Sequence, residues 1–198
     1  MTTIELANYP TLFGERRQPR TRYIAIPKVS SENRNYLPIG LLKPNIIANG
    51  SLLVIPDPHM YFFGVLSSHM HMAWMRYVAG RMKSDYQYSS QIVYNNFPWP
   101  SDPTDKQKAA IEEAAQGVFD ARAAHLGASL ADLYDPIAMP PDLRKAHQAL
   151  DKAVDTAYGK KNFASDTERV AFLFELYHKY TSLLPAPEKP KRVKRKRK

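Results

Sequence analysis

Apolar residues fall into two kinds of pattern along this chain, and the change between them comes at a cluster of prolines. Residues 22–29 (RYIAIPKV) and 51–56 (SLLVIP) are short β-branched runs bounded by Pro, Gly, Asn or Asp, which predicts strands. Residues 61–66 (YFFGVL) predict a third strand, with Gly64 marking a close backbone approach or a bulge. Residues 67–80 then predict a helix capped by Ser67 or Ser68 and stopped by Gly80, with Trp74, Val78 and the methionines on its apolar surface.

Pro98, Pro100 and Pro103 break this pattern, since each lacks a backbone donor and biases its predecessor away from helix. Beyond them the apolar positions recur at helical spacing. Thr104 and Gln107 form a capping-box pair ahead of a stripe that includes Ile111, Ala114, Val118 and Phe119. Pro141 opens a second stripe of Leu143, Ala146, Leu150, Val154 and Ala157, ended by Gly159. Ser165 and Glu168 repeat the capping pair, and Val170, Leu173, Phe174, Tyr177, Tyr180 and Leu184 carry a last helix to Pro185. The expected fold class is α+β: a mixed α/β part over residues 1–100, a helical part over 104–184, and a tail over 185–198.

Residues 80–100 (GRMKSDYQYSSQIVYNNFPWP) carry the most suggestive polar pattern. Arg81, Lys83, Asp85 and Gln87 occupy odd positions, and Tyr86 and Tyr88 even ones. In an extended segment successive side chains face opposite ways, so the polar set and the tyrosines would separate. Arg and Lys suit guanine edges, Gln suits adenine, and a carboxylate accepts from cytosine. The alternative is a half-buried edge strand with an ordinary polar face. The closing YNNFPWP differs from the Asn-Pro-Pro-aromatic loop of adenine methyltransferases, because Asn96 is followed by Phe97 rather than by paired prolines. It predicts a structural cap with Phe97 and Trp99 buried.

Charge divides unevenly. The net charge is +9, yet residues 188–198 hold eight Lys/Arg against one Glu. Residues 1–100 hold ten against five, and residues 101–187 hold ten against thirteen. A polyanion would therefore meet the first half and the tail. Only Val193 in the tail is fit for burial, so a disordered end is expected. Such a tail either solubilises the chain or attracts phosphates without regard to sequence. The absence of cysteine excludes disulfides and thiolate zinc sites and suits a reducing cytoplasm. No apolar run approaches the length needed to span a bilayer, and the N-terminus lacks the pattern of a secretory signal, so no membrane partner is expected.

Enzyme chemistry is hard to find. No two glycines lie close enough for a dinucleotide fingerprint, a P-loop or a cofactor-cradling turn. His69 and His71 are two apart on a predicted helix and face different ways, so with His59 they make no metal site. Asp132, Asp135 and Asp142 lie beside predicted helix starts and read as caps.

Taken together, RYIAIPKVSSENRNYLPIG, YFFGVLSSHMHMAW, GRMKSDYQYS, YNNFPWP and SLADLYDPIAMPPDLRKAHQALDKAV resemble the C-terminal part of MmeI-like type II restriction–modification DNA adenine methyltransferases. The resemblance runs from about Tyr9 to Leu184. It implies that residues 1–100 are part of a DNA target recognition domain, and that residues 104–184 are the family's C-terminal helical domain. Specificity positions in that family cluster after the first strand, before the second, and after the helix. Carried over, these are Lys28, Ser30 and Ser31, then Asn49 to Ser51, then Lys83, Asp85 and Gln87, joined by Arg81 from the alternating pattern. Arg20, Arg22 and Arg34 would hold phosphates, which position a protein without informing it of sequence.

The family's nuclease, its S-adenosylmethionine-binding fold and its catalytic loop have no counterpart in these residues. The resemblance thus implies a fragment or subunit with no catalytic residue, metal or cofactor of its own. Its partners would be double-stranded DNA and a methyltransferase core that carries the S-adenosylmethionine. Two rival readings remain at this point: a structural or protein-interaction module, and a nonspecific nucleic-acid binder driven by the tail.

Overall fold

The computed structural model describes residues 3–11, 18–56, 58–160 and 162–182; the basic run at 188–198 lies outside them. After a short helix α1 (Thr3–Ala7), strands β1 (Tyr23–Pro27), β3 (Gly40–Leu42) and β4 (Leu52–Pro56) form an antiparallel sheet in the order β3-β1-β4. A second antiparallel sheet has the order β2-β6-β5, from β2 (Val29–Ser30), β5 (Gly80–Met82) and β6 (Asp85–Gln87). The expected strand over 22–29 is therefore two strands in two sheets, parted at Lys28.

Two helices lie between β4 and β5 in sequence, α2 (Met60–Leu66) and α3 (His69–Val78). The strand expected at 61–66 is thus α2, a helix. A short apolar run does not reveal its period, and Phe63, Gly64, Val65 and Leu66 are all buried, so no polar face marks the helix. Gly64 is nevertheless a close approach: a Cβ there would lie 2.6 Å from Ile111 Cγ2. Helix α3 starts as expected, with Ser68 accepting from the His71 N–H, but Gly80 opens β5 and Ala79 is the C-cap. The YNNFPWP segment follows a π-helical turn at Ser90–Tyr94. Phe97 is buried against the His71 ring, edge to face at 4.5 Å, whereas Trp99 is only partly buried. The Asn96 amide donates to the Gln91 and Ile92 carbonyls, which closes that turn.

The remaining elements are helical: α4 (Asp105–Ala123), α5 (Leu130–Leu133), α6 (Pro141–Ala157) and α7 (Asp166–Ser182). Helix α4 has its full Thr104/Gln107 capping box, and α6 begins with Pro141 at its first turn. Gly159 adopts φ +79°, which suits glycine past a helix end. At α7 the box is half formed: Ser165 Oγ accepts from the Glu168 N–H, while the Glu168 carboxylate takes the Ala164 N–H. Asp132 completes a second capping box at Ser129, and Asp135 accepts from the N–H groups of Ile137 and Ala138.

One continuous core joins the two parts. Ile24, Phe63, Leu66, Met70 and Trp74 share it with Ile111, Val118, Leu143, Leu150 and Leu173. Phe63 stacks on Phe119 at 4.4 Å, and Trp74 meets Phe174 at 5.2 Å. Polar groups cross the same boundary. Tyr36 donates to Asp151 at 2.7 Å, and the His69 N–H donates to the other oxygen of that carboxylate. Asp166 binds both His69 Nε2 and Arg76 Nη1 at 2.5 Å. Those hydrogen bonds hold the Asp166 carboxyl down at about 2 despite partial burial, with His69 the larger influence and Arg76 the next.

Candidate nucleic-acid interface

The end of β1 is where the segments expected to read DNA meet. Lys28 sits between β1 and β2, and its main chain is held from two sides. Its N–H donates to the Ser51 carbonyl at 2.9 Å, and its carbonyl accepts from the Tyr88 N–H at 2.7 Å. Its Nζ donates to the Gly50 carbonyl at 2.7 Å. Backbone pairing of Val29 with Gln87 then sets β6 alongside. Residues 28–31, 49–51 and 80–87 therefore converge, although the paired Val29 and Gln87 stand 58 positions apart in the chain.

Local hydrogen bonding shapes each segment. Asn49 Oδ1 accepts from the Ser51 N–H at 3.0 Å and from Ser51 Oγ at 2.5 Å, an Asx turn that leads into β4. Ser31 turns the chain after β2, its carbonyl accepting from the Arg34 N–H. Between β5 and β6 the turn is Lys83–Ser84, and Lys83 adopts φ +57°. A lysine pays a conformational cost there, and its exposed side chain stands at the hairpin tip. A cleft of about 310 Å³ opens beside these segments, lined in part by Lys28, Gln87, Ser89 and Ser90 over Leu53 and Ile92.

The alternation expected over 81–88 holds only on one side of the turn. Asp85 and Gln87 do lie opposite Tyr86, which is buried, and Tyr88 is buried too. The chain reverses after Met82, however, so Arg81 is the cross-strand partner of Tyr86 and shares its face. The outward face instead combines Asp85 and Gln87 with Met82, Gly80 and Val29. Ser30 is a further correction: it pairs with Tyr86 and is 2% exposed, so its hydroxyl is packed inside and not on the surface.

The arginines separate. Arg20 and Arg22 are exposed and lie at the opposite end of β1 from Lys28, about 20 Å away for six residues of strand. Arg34 is half-buried, and its Nε is enclosed without a hydrogen-bond partner among the described residues; the Ala138 and Ile137 N–H groups hold Asp135 below the usual carboxylate range, and the Arg34 charge adds to them. Sequence reading missed Glu32, whose Oε2 lies 3.3 Å from Arg81 Nη1. Nothing in the order of residues announces a contact between those two positions.

No metal cluster forms among the described residues. Two histidines, His71 and His147, lie in the core. His71 is buried against the Tyr88 hydroxyl at 2.8 Å, and burial pushes its pKa down to about 3. His147 meets the Tyr134 hydroxyl at 2.6 Å, and burial, helped by Arg122, lowers it to about 3 as well. No helix among the described residues is long and apolar enough to cross a membrane.

Comparison with known proteins gives this geometry a context. Residues 1–101 match the family model described as MmeI, target recognition domain, and residues 103–185 match that described as MmeI, C-terminal domain. DNA methyltransferase A of Bacillus subtilis (strain 168) is 43% identical over 179 residues, which is 90% of this chain and 20% of that protein. The solved structure of the Type IIL restriction–modification enzyme MmeI in complex with DNA superposes with a TM-score of 0.85 at 50% identity, over 90% of this chain and 24% of that one. The chain thus spans between a fifth and a quarter of the length of these relatives.

Proposed function

The chain belongs to the MmeI family, matching its target recognition and C-terminal domains, and from this we propose that it is the sequence-reading module of a restriction–modification DNA adenine methyltransferase. The observation that carries the proposal is the convergence of three segments at Lys28, in a fold shared at 50% identity with an enzyme solved on DNA. The readers are Lys28, Ser31, Asn49, Ser51, Lys83, Asp85 and Gln87. They present an ammonium, hydroxyls, amides and a carboxylate together, the set that distinguishes base edges in the major groove. Arg20 and Arg22 hold phosphates at the far end of the sheet.

The residues present do not suit S-adenosylmethionine. Glycines of the described residues stand singly, and none builds the turn that would cradle it. Methyl transfer to the adenine amine is therefore assigned to a methyltransferase core outside these residues, and this module chooses the site without performing chemistry itself. Residues 1–100 form the recognition unit and 104–184 its helical support.

Selection from a randomised duplex library tests the proposal. The chain is expected to enrich a defined site, and Lys83→Ala or Gln87→Ala to relax individual positions of it by about five-fold or more. Enrichment without any sequence preference, abolished when residues 188–198 are removed, would instead make this a nonspecific nucleic-acid binder. No binding to any duplex would favour a protein-interaction module.

A further inference from the structure

Arg81 is held by three contacts, one through the face of its guanidinium and two through Nη1. Its guanidinium lies 4.0 Å above the Tyr86 ring centroid. Its Nη1 donates to the Ser84 carbonyl at 2.7 Å, across the hairpin turn, and approaches Glu32 Oε2 at 3.3 Å. The ion pair with Glu32 is exposed, with side chains 44% and 43% accessible, and would contribute little alone. A planar guanidinium can serve a ring, a carbonyl and a carboxylate at once, which an ammonium cannot match.

Each contact constrains something different. The Ser84 carbonyl is part of the two-residue turn that keeps Lys83 at φ +57°. Tyr86 is buried and fixes Arg81 to the core. Glu32 belongs to the loop after β2, next to Ser31, so this contact ties the first recognition segment to the third. We propose that Arg81 is a positioning residue that locks the β5–β6 hairpin and the 31–34 loop together, so that Lys83 and Asp85 meet the bases from one fixed direction. The inference rests on the recognition reading above and deepens it.

Binding selection on randomised duplexes separates positioning from direct reading. Five versions of the full chain are compared: unsubstituted, Arg81→Gln, Lys83→Ala, Asp85→Ala, and Arg81→Gln combined with Lys83→Ala. A positioning residue flattens the positions that Lys83→Ala flattens, by about five-fold or more, and the double variant is no flatter there than Lys83→Ala alone. If Arg81→Gln relaxes a position that Lys83→Ala and Asp85→Ala leave intact, Arg81 reads a base itself and the proposal is wrong. An unchanged preference with only a lower unfolding midpoint reduces Arg81 to a structural role and also overturns it. Glu32→Gln, which leaves the hairpin sequence intact, shifts the same positions more weakly and serves should Arg81→Gln not fold. Absence of any preferred site in the unsubstituted chain defeats the recognition reading itself, and so is distinguishable from failure of the Arg81 assignment.

Discussion

Gly64 and Ile111 are in contact across the boundary between the sheet-containing and the helical parts, with room for a hydrogen at residue 64 but not for a methyl. A Cβ on Gly64 would lie 2.6 Å from Ile111 Cγ2 and 3.3 Å from the Ile111 carbonyl oxygen. Gly64→Ala is accordingly expected to destabilise the whole chain by about 1–3 kcal/mol in chemical denaturation. A stability unchanged by that substitution would show that α2 and α4 can separate at little cost.

Asp166 ties α7 to α3 through His69 and Arg76. Because its folded pKa is depressed to about 2, its contribution is present above the ordinary carboxylate range and lost as pH falls toward 2. Asp166→Asn is expected to cost about 1–2 kcal/mol at neutral pH, reduced from the full linkage value because the side chain is partly exposed. Denaturation of the variant at neutral pH and again near pH 2 measures this, and a loss that persists undiminished in acid would contradict the ion-pair account.

The buried histidines set a second pH dependence. His71 and His147 have folded pKa values near 3, below the ordinary imidazole value of 6.5. Between those limits the unfolded chain takes up protons that the folded chain refuses, so stability falls as pH drops below about 6.5. Each group contributes a slope of about 1.4 kcal/mol per pH unit. His71→Gln, which keeps a partner for the Tyr88 hydroxyl, is expected to make the fall shallower by about that amount per unit. Urea denaturation at several values from roughly pH 4.5 to 6 reads the slope directly, and an identical slope in the variant would count against a neutral His71.

Arg20 and Arg22 should behave unlike the residues near Lys28. Substituting either by Ala is expected to weaken binding to all duplexes alike, and to lower the slope of log affinity against log salt by about 0.9 for each phosphate no longer neutralised. A salt titration on preferred and scrambled duplexes checks both parts. A change confined to the preferred duplex would move these arginines from the phosphates to the bases.

How far the order of residues revealed this structure depended on how local each determinant was. Helix starts at Ser68, Thr104 and Pro141 were legible because a cap needs only its own first turn. The apolar run 61–66 was not, because four successive residues of it, Phe63 to Leu66, are buried, with partners about 50 residues on against Gly64, and no polar face marks a helical period. At the interface, the opposition of Asp85 and Gln87 to Tyr86 followed from strand periodicity. The reversal at Lys83–Ser84 did not, since neither residue is a usual turn former for a positive φ, and the misplacement of Arg81 came from that one reversal. Burial of Ser30 likewise depends on which sheet β2 joins, a matter of distant pairing.

The main-chain hydrogen bonds that hold Lys28 to Ser51 and Tyr88 have a consequence for change over time. Peptide groups are the same in every residue, so this junction survives substitution of the side chains it displays. Substitutions at 28, 51 and 87 forfeit at most a local side-chain hydrogen bond and are expected to cost folding less than those at Gly64 or Tyr86. A surface supported in this way can acquire a new preference by single steps, each passing through a folded protein.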